Sequence, residues 1–407
     1  MTNLSLKTDL LGIGSRFDRL QSHLDPTILG ILNKALDGKD ISVEDATKLF
    51  EAKGLTFNLL VIVADELRKR TVGDVVTYIV NRNINFTNLC IKRCGFCAFS
   101  RGKLDEEAYS LSIDEVVKRA KEAWAIGATE ICIQAGLPPR MDPYLYIKIC
   151  KAIKKELPDI HIHAFSPEEV VYAANCAGSS VEDYLKTLKD AGVDSLPGTS
   201  AEILDDEVRR YISPGRITTK EWINVIKSAH RLDIPTTSTI MYGHVENSLQ
   251  KAKHIDLIRQ IQMETHGFTE FVPLSFVHSE APMYKTGRLG NRRIEGLRKG
   301  PTGAEVLKMY AVSRLMLNNH IKNLQVSWVK EGPKLSQICL NAGCNDFGGT
   351  LMNESISSAA GAQYGQYMDP KEFRNLIRDI GRVPAERSTT YRILKIFDQN
   401  DNCMSSK

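Results

Sequence analysis

Two hydrophobic periods divide the chain near residue 75. Before that point, apolar residues recur at helical spacing. Ile28, Leu32 and Leu36 stand four apart, and residues 55–70 form another amphipathic stretch. Ser42-Val43-Glu44-Asp45 has the pattern of a capped helix start, and Gly73-Asp74 is a break. Residues 1 to about 75 therefore read as a helical extension. Beyond them, short apolar runs alternate with longer amphipathic ones. Strands are expected at 75–80 (running toward Phe86), 130–134, 160–165, 193–196, 235–241, 270–274 and 324–328, with a weak one around 339–347. Helices are expected at 112–126, 144–156, 181–191, 219–232 and 249–265.

Strand alternating with helix predicts a parallel sheet, and about eight repeats fit an α/β fold of the (β/α)8 TIM-barrel type. The barrel would span 76–350, between the N-terminal helical extension over 1–75 and a C-terminal helical segment over 351–407 that closes or flanks it. An open doubly wound sheet is the competing architecture, although the glycine-rich first turn of a dinucleotide fold is missing. The stretch 283–303 reads as an exposed loop, 370–380 as a last helix, and 401–407 as a frayed end.

Unusual residues gather at the strand-to-helix junctions. The first junction carries a cysteine loop, and the second Gln134-Ala135-Gly136-Leu137-Pro138-Pro139. The third carries Ser166-Pro167-Glu168-Glu169, the fourth Gly198-Thr199-Ser200-Ala201-Glu202, and the fifth Tyr242-Gly243-His244-Val245-Glu246. In a barrel all five share the C-terminal rim, where barrel active sites lie.

Composition narrows the class without changing the fold. The 407 residues are 43% hydrophobic and 25% charged, as in a globular protein with a large core. With 53 basic and 49 acidic residues, the net charge of +4 predicts no nucleic-acid partner. The apolar run at 59–64 is too short to span a bilayer, so no membrane partner is expected. The first twenty residues lack a long apolar core, so a secretory signal is not expected either, and a cytoplasmic location follows. Nine cysteines then argue for metal binding or burial over disulfides.

Three of those nine stand within eight residues: Cys90, Cys94 and Cys97, in C-x3-C-x2-C spacing with Phe96 before the last. Clustered structural thiols, a zinc site completed by Cys339 and Cys344, and an iron–sulfur cluster with one open iron are the three readings. Cys132, Cys150 and Cys176 read as buried hydrophobes. His161 and His163 alternate along a strand and share a face.

C-x3-C-x-aromatic-C after the first strand of a parallel barrel resembles the signature of the radical S-adenosylmethionine (radical SAM) enzymes. The resemblance implies that Cys90, Cys94 and Cys97 bind a [4Fe–4S] cluster whose open iron is chelated by S-adenosylmethionine. One-electron reduction, from a donor such as ferredoxin or flavodoxin, would then give a 5'-deoxyadenosyl radical that abstracts hydrogen from substrate. It further implies that Phe96 packs beside the adenine and that the Gln134-Ala135-Gly136 backbone meets the methionyl amino group. Two glycines are usual in that motif, and Ala135 departs from it. Glu202 would hold the ribose hydroxyls, or stand in the first turn of a helix capped by Ser200. Ser166 has the same two readings, with capping favoured.

The run Asn81-Arg82-Asn83-Ile84-Asn85-Phe86-Thr87-Asn88 is similar to one branch of that superfamily, which holds the deazaflavin synthase subunits and the futalosine enzymes of menaquinone synthesis. Residues 343–362 resemble the tyrosine-condensing subunits of deazaflavin synthase, over nearly the whole chain. The implied substrates are L-tyrosine and 5-amino-6-(D-ribitylamino)uracil. The implied partner is a ring-closing subunit, and the product leads to coenzyme F420. His244, Asn345, Asp346 and Ser355 are the expected substrate contacts, with turn formation as the alternative for Asn345 and Asp346.

Overall fold

The structure is a computed structural model and describes residues 25–404. The expected helix and the signal-free terminus within 1–24 lie outside the described residues. The rest of the lead-in forms helices Pro26–Leu36, Val43–Phe50 and Gly54–Val72. Ser42 accepts the Asp45 N–H while the Asp45 carboxylate accepts the Ser42 N–H, a reciprocal capping box. The apolar faces of these helices (Leu32, Leu49, Leu60, Val63) share one core with Met309, Val312 and Leu315 of the helix Gly303–Leu317.

The strands are β1 (Val75–Ile79), β2 (Asn81–Ile84), β3 (Glu130–Ile133), β4 (His161–Ala164), β5 (Thr236–Tyr242) and β6 (Phe268–Ser275). After a small β7–β8 hairpin (Arg288–Leu289 and Arg292–Arg293) come β9 (Asp346–Gly349), β10 (Val383–Arg387), β11 (Ile393–Phe397) and β12 (Cys403–Met404). β2, β3 and β4 form one parallel ladder and β5 with β6 another. β1 lies between β9 and β10, parallel to both. The expected helices form between them within a residue or two, as Ile113–Ala125, Leu145–Glu156, Val181–Asp190, Thr219–Arg231 and Ser248–Thr265.

Two expected strands are absent as strands. At the fourth position only single parallel bridges form, His163 with Ser195 and Leu196 with Thr236. Pro197 follows at once and has no N–H for a ladder. At the seventh, Phe271 bridges Leu324 and Gln325 bridges Asp346, and Trp328 already begins a helix that runs to Cys339. The weak strand expected at 339–347 is confined to Asp346–Gly349, behind a tight turn at Leu340–Ala342. The fold is thus TIM-barrel-like α/β, with parallel ladders joined by single bridges in place of one continuous closed sheet.

The C-terminal segment departs furthest from expectation. The helix Pro370–Asp379 forms, but β10 then runs beside β1 from the Val75–Val383 pair to the Tyr78–Glu386 pair, and β11 and β12 follow antiparallel. A bare β1 edge would leave backbone donors and acceptors unpaired, and β10 covers it. The end expected to fray is paired through Met404, and 405–407 lie outside the described residues. The stretch 283–303, expected as a loop, begins inside a short helix, Pro282–Thr286, and then contains the β7–β8 hairpin.

Candidate active site

Asparagine side chains clamp the strand to the cysteine loop. Asn85 Nδ2 donates to the Gln134 carbonyl at 2.7 Å. Asn88 Oδ1 accepts the Tyr109 N–H at 2.8 Å while its Nδ2 donates to the Glu107 carbonyl at 2.9 Å. The Gly136 N–H donates to the Thr87 carbonyl at 2.8 Å, and the Ile91 N–H to the Leu137 carbonyl at 2.8 Å. Gly136 is required by this close approach, since a Cβ there would stand 2.2 Å from the Leu89 carbonyl oxygen.

Cys90, Cys94 and Cys97 are free thiols lining one cavity. Phe96, Gln134, Ala135, Gly136, Ser166 and Glu202 line it with them, so the whole expected cofactor set converges. Burial pushes the Cys94 thiol up to about 12, with Arg216 opposing and the thiols of Cys97 and Cys90 adding to the rise. Among the described residues, no three His, Cys, Asp or Glu side chains converge on a single metal ion. Cys339 and Cys344 are buried in the core beside Leu340 and Phe347, which removes the zinc reading. A cubane makes a different demand: each thiolate binds its own iron, so the sulfurs surround a cluster rather than one ion. Three free soft donors on one wall of a cavity fit that group.

Beside the cysteines lies a charged network. The Arg216 guanidinium pairs with Glu168 at 3.1 Å and Glu202 at 2.7 Å, donates to Ser200 Oγ, and stands 3.8 Å from Cys94 Sγ. Lys92 reaches the other Glu168 oxygen at 3.2 Å. Burial pushes the Glu168 carboxyl up, but Arg216, the Ile217 N–H and Lys92 together hold it below the usual carboxylate range. Ser200 and Glu202 hold left-handed backbone, with φ of 66° and 43°. Glu202 Oε2 is buried without a hydrogen-bond partner among the described residues, and its nearest cation, Arg209, is 4.0 Å away. Ser166 caps the helix Pro167–Cys176 in a box with Glu169. Glu169 also accepts the Ala135 N–H at 2.9 Å, and burial pushes its carboxyl up to about 7 against those hydrogen bonds.

The four expected substrate contacts do not line this cavity. His244 is fully buried; its Nδ1 accepts the Val245 N–H at 2.8 Å and its Nε2 donates to the Met241 carbonyl at 3.0 Å, so its own backbone satisfies the ring. Asn345 Oδ1 accepts from Arg314 and from the Leu324 N–H, both at 2.9 Å, which latches the start of β9. Asp346 pairs with Arg387 at 2.5 Å and accepts the Gly348 N–H at 2.8 Å, a buried ion pair that anchors β10 to β9. Ser355 donates to Asn85 Oδ1 at 2.8 Å and so acts one step from the cavity wall. His244, Asn345 and Asp346, at strand ends, are engaged by the backbone or charge that completes the fold, and Ser355, at the start of the helix Ser355–Ala359, by the Asn85 amide. Cys176 is also exposed, against the burial expected of it, because it closes a helix at the surface.

A second, inner cavity continues from the first. Gln134, Thr199, Thr239, Leu274, Lys330, Ile356 and Ser357 line both. The inner wall is polar and includes Asn83, Glu130, His163, Thr237, Glu270, Gln325 and Arg387. His163 Nδ1 and His161 Nε2 both meet Ser195 Oγ at 2.7 Å, which answers which way that strand face points. Burial pushes His163 down to about 3, so its ring is neutral. Arg216, Lys330 and Arg387 escaped the sequence reading because each lies outside the expected junctions: Arg216 on irregular chain, Lys330 in the first turn of the helix Trp328–Cys339, and Arg387 at the end of β10. Glu168 and Glu169 stood in a quoted junction, and only their helix-start position marked them.

Residues 84–258 match the model of the radical SAM superfamily, and 265–400 match that of the CofH/MqnC C-terminal region. A 5-amino-6-(D-ribitylamino)uracil–L-tyrosine 4-hydroxyphenyl transferase of Methanocaldococcus jannaschii is 51% identical over 360 residues, 88% of this chain and 98% of the relative. The transferase of the same name from Methanothermobacter thermautotrophicus is 50% identical over 363 residues, 89% of this chain and 96% of the relative. Among solved structures, methylornithine synthase superposes with a TM-score of 0.66 at 18% identity, over 87% of this chain and 97% of that one. An [FeFe]-hydrogenase maturase from Carboxydothermus hydrogenoformans gives 0.66 at 18% identity, over 96% and 85%; both likenesses concern the fold. The three-thiol cavity, the parallel α/β frame and these relatives agree: the chain belongs to the radical SAM superfamily and, within it, to the family of 5-amino-6-(D-ribitylamino)uracil–L-tyrosine 4-hydroxyphenyl transferases.

Proposed function

We propose that this chain joins the 4-hydroxybenzyl group of L-tyrosine to 5-amino-6-(D-ribitylamino)uracil, releasing 2-iminoacetate, 5'-deoxyadenosine and methionine. The observation that carries the reading is identity of about half over nearly the whole length of the transferases, in a chain whose cysteines face a cavity with a polar inner extension. A [4Fe–4S] cluster with S-adenosylmethionine, when bound, supplies the one-electron chemistry that begins with hydrogen abstraction. Cys90, Cys94 and Cys97 supply the thiolates. Arg216 holds a positive charge beside them, and the open Glu202 oxygen is an acceptor for sugar hydroxyls. Phe96 offers a flat apolar wall, and the Gln134-Ala135-Gly136 backbone borders the same space. The inner polar wall suits a ribityl chain and a uracil, which need many neutral hydrogen-bonding partners.

The finer architecture belongs to the same reading: a helical lead-in to residue 75, an eight-position (β/α) barrel over 76–350, and a closing segment from 351. A groove lined by Arg93, Arg101, Arg288 and the Lys285–Glu280 pair reaches Cys94 and Cys97, and its excess of positive charge suits an acidic one-electron donor of the ferredoxin or flavodoxin kind. The product passes to a ring-closing partner enzyme on the route to coenzyme F420. A cytoplasmic location accords with this, and no helix among the described residues is long and apolar enough to cross a membrane. The test is anaerobic incubation with reductant, S-adenosylmethionine and both substrates, read by mass spectrometry. The hydroxybenzyl–uracil adduct is expected; its absence, with turnover of a futalosine-type substrate instead, overturns the assignment.

A further inference from the structure

Four basic residues line the two joined cavities: Lys92, Arg216, Lys330 and Arg387. Lys92 and Arg216 pair with Glu168, Arg216 also with Glu202, and Arg387 with Asp346 and Glu270. Lys330 has no carboxylate within ion-pair distance among the described residues. Among the described residues its ammonium has one hydrogen-bond partner, Ser357 Oγ, at 2.8 Å. An ammonium has three donors, so two remain for something that enters the cavity. The nearest carboxylates are engaged elsewhere. Both Glu354 oxygens accept the Ser357 N–H, at 3.0 and 2.9 Å, and Glu331 accepts the Ser275 hydroxyl. Lys330 is half-buried at the cavity wall, and the partial burial lowers its ammonium from its ordinary range, with Glu354 and Glu331 opposing.

The backbone that carries Lys330 is held on both sides. Lys330 lies in the first turn of Trp328–Cys339, where the Trp328 indole donates to the Gly349 carbonyl at 2.8 Å. Two residues on, Gly332 turns left-handed at φ 76°, and a Cβ there would meet the Tyr364 ring at 2.6 Å. Lys330 stands where the cysteine cavity opens into the inner polar one.

We propose that Lys330, with Ser357, is the anchor for the α-carboxylate of tyrosine. The assignment rests on the reaction given above and deepens it. Of the two co-substrates only tyrosine carries a carboxylate; the ribityluracil is neutral. The carboxylate of S-adenosylmethionine would be taken up at the open iron of the cluster that Cys90, Cys94 and Cys97 would hold, and Arg216 beside them is already paired with Glu168 and Glu202. Tyrosine must also lie between the other two molecules, because its amino group gives up hydrogen on the cluster side and its benzyl carbon must reach the uracil. A carboxylate held at the junction of the cavities places it there, with Leu274 and Ile356 as apolar neighbours.

The experiment is calorimetric titration of tyrosine and of tyramine, which lacks the carboxylate, into anaerobically reconstituted enzyme with S-adenosylmethionine bound and no reductant. Lys330→Met is expected to weaken tyrosine binding roughly 10- to 150-fold, as for loss of a charged hydrogen bond. Tyramine and the ribityluracil should bind wild type and variant alike. Lys330→Arg should recover part of the tyrosine affinity. The thermal midpoint of Lys330→Met should equal or exceed wild type, because a poorly paired half-buried cation is removed. Tyrosine binding to Lys330→Met at wild-type strength overturns this assignment alone. A wild-type enzyme that binds no tyrosine overturns the proposed reaction and this assignment with it.

Discussion

Gly136→Ala tests how tightly the cysteine loop is seated. The added Cβ would lie 2.2 Å from the Leu89 carbonyl oxygen, 2.8 Å from its carbon and 3.1 Å from the Asn88 carbonyl carbon. All three are backbone atoms of the segment that enters Cys90, so no side chain can swing aside. Restoring the 3.0 Å that Cβ atoms require moves the two chains apart by roughly 0.8 Å. Overpacking of this kind costs about 1–3 kcal/mol, and a shift near 1 Å at a reacting centre costs on the order of 100-fold in rate. The Gly136 N–H bond to the Thr87 carbonyl is stretched by the same movement. Iron and sulfide per chain after anaerobic reconstitution, the thermal midpoint, and 5'-deoxyadenosine released on reduction are the readouts. Lower iron loading and a deoxyadenosine rate down by about two orders of magnitude are expected. Gly303→Ala is the control, since a Cβ there meets nothing within 4 Å. Full iron loading and wild-type turnover in Gly136→Ala would refute the reasoning.

Cys94→Ala should remain folded, bind less iron and form no deoxyadenosine, as iron analysis and product chromatography will show. Asp346→Ala leaves the buried Arg387 only the longer 3.5 Å pair with Glu270 and should cost up to about 3–5 kcal/mol in chemical denaturation, while Asp346→Ala with Arg387→Met should cost less than the sum of the singles. Glu202→Gln keeps an acceptor toward Arg216 but removes the charge at the open oxygen. The KM for S-adenosylmethionine should rise roughly 10-fold or more, with kcat changed less. His254 is neutral: its Nδ1 accepts the Leu204 N–H at 3.0 Å, its Nε2 donates to the Thr239 carbonyl at 2.9 Å, and burial pushes it down to about 3. Its contribution is therefore complete above pH 6.5 and is lost as pH falls toward 3, at about 1.4 kcal/mol per pH unit. His254→Gln should flatten that part of the stability–pH curve, and an unchanged slope would contradict the assignment.

The helical lead-in, the alternation and the cysteine loop were legible because each rests on local pattern: spacing of apolar residues, capping at Ser42, and three thiols in eight residues. Tertiary pairing was not. Nothing in the local pattern of 383–387 says that it will cover the edge of β1, and Pro197 and Trp328 shorten two strands whose apolar runs looked sufficient. The expected substrate contacts stand off the first cavity for a related reason. His244, Asn345 and Asp346 are polar residues at strand ends, but polar groups buried there must be satisfied, and backbone groups, Arg314 and Arg387 satisfy them first. The residues that do line the cavities, Arg216 on an irregular stretch and Lys330 in the first turn of a helix, have their place set by packing distant in sequence.

The central claim is that one cavity carries both the cluster chemistry and the two substrates. Incubation with ring-13C-labelled L-tyrosine, the ribityluracil, S-adenosylmethionine and reductant tests it most directly. The account predicts that the whole labelled ring appears in the uracil adduct, in step with 5'-deoxyadenosine. Deoxyadenosine formed in the presence of both substrates, with no label on the uracil, would contradict it.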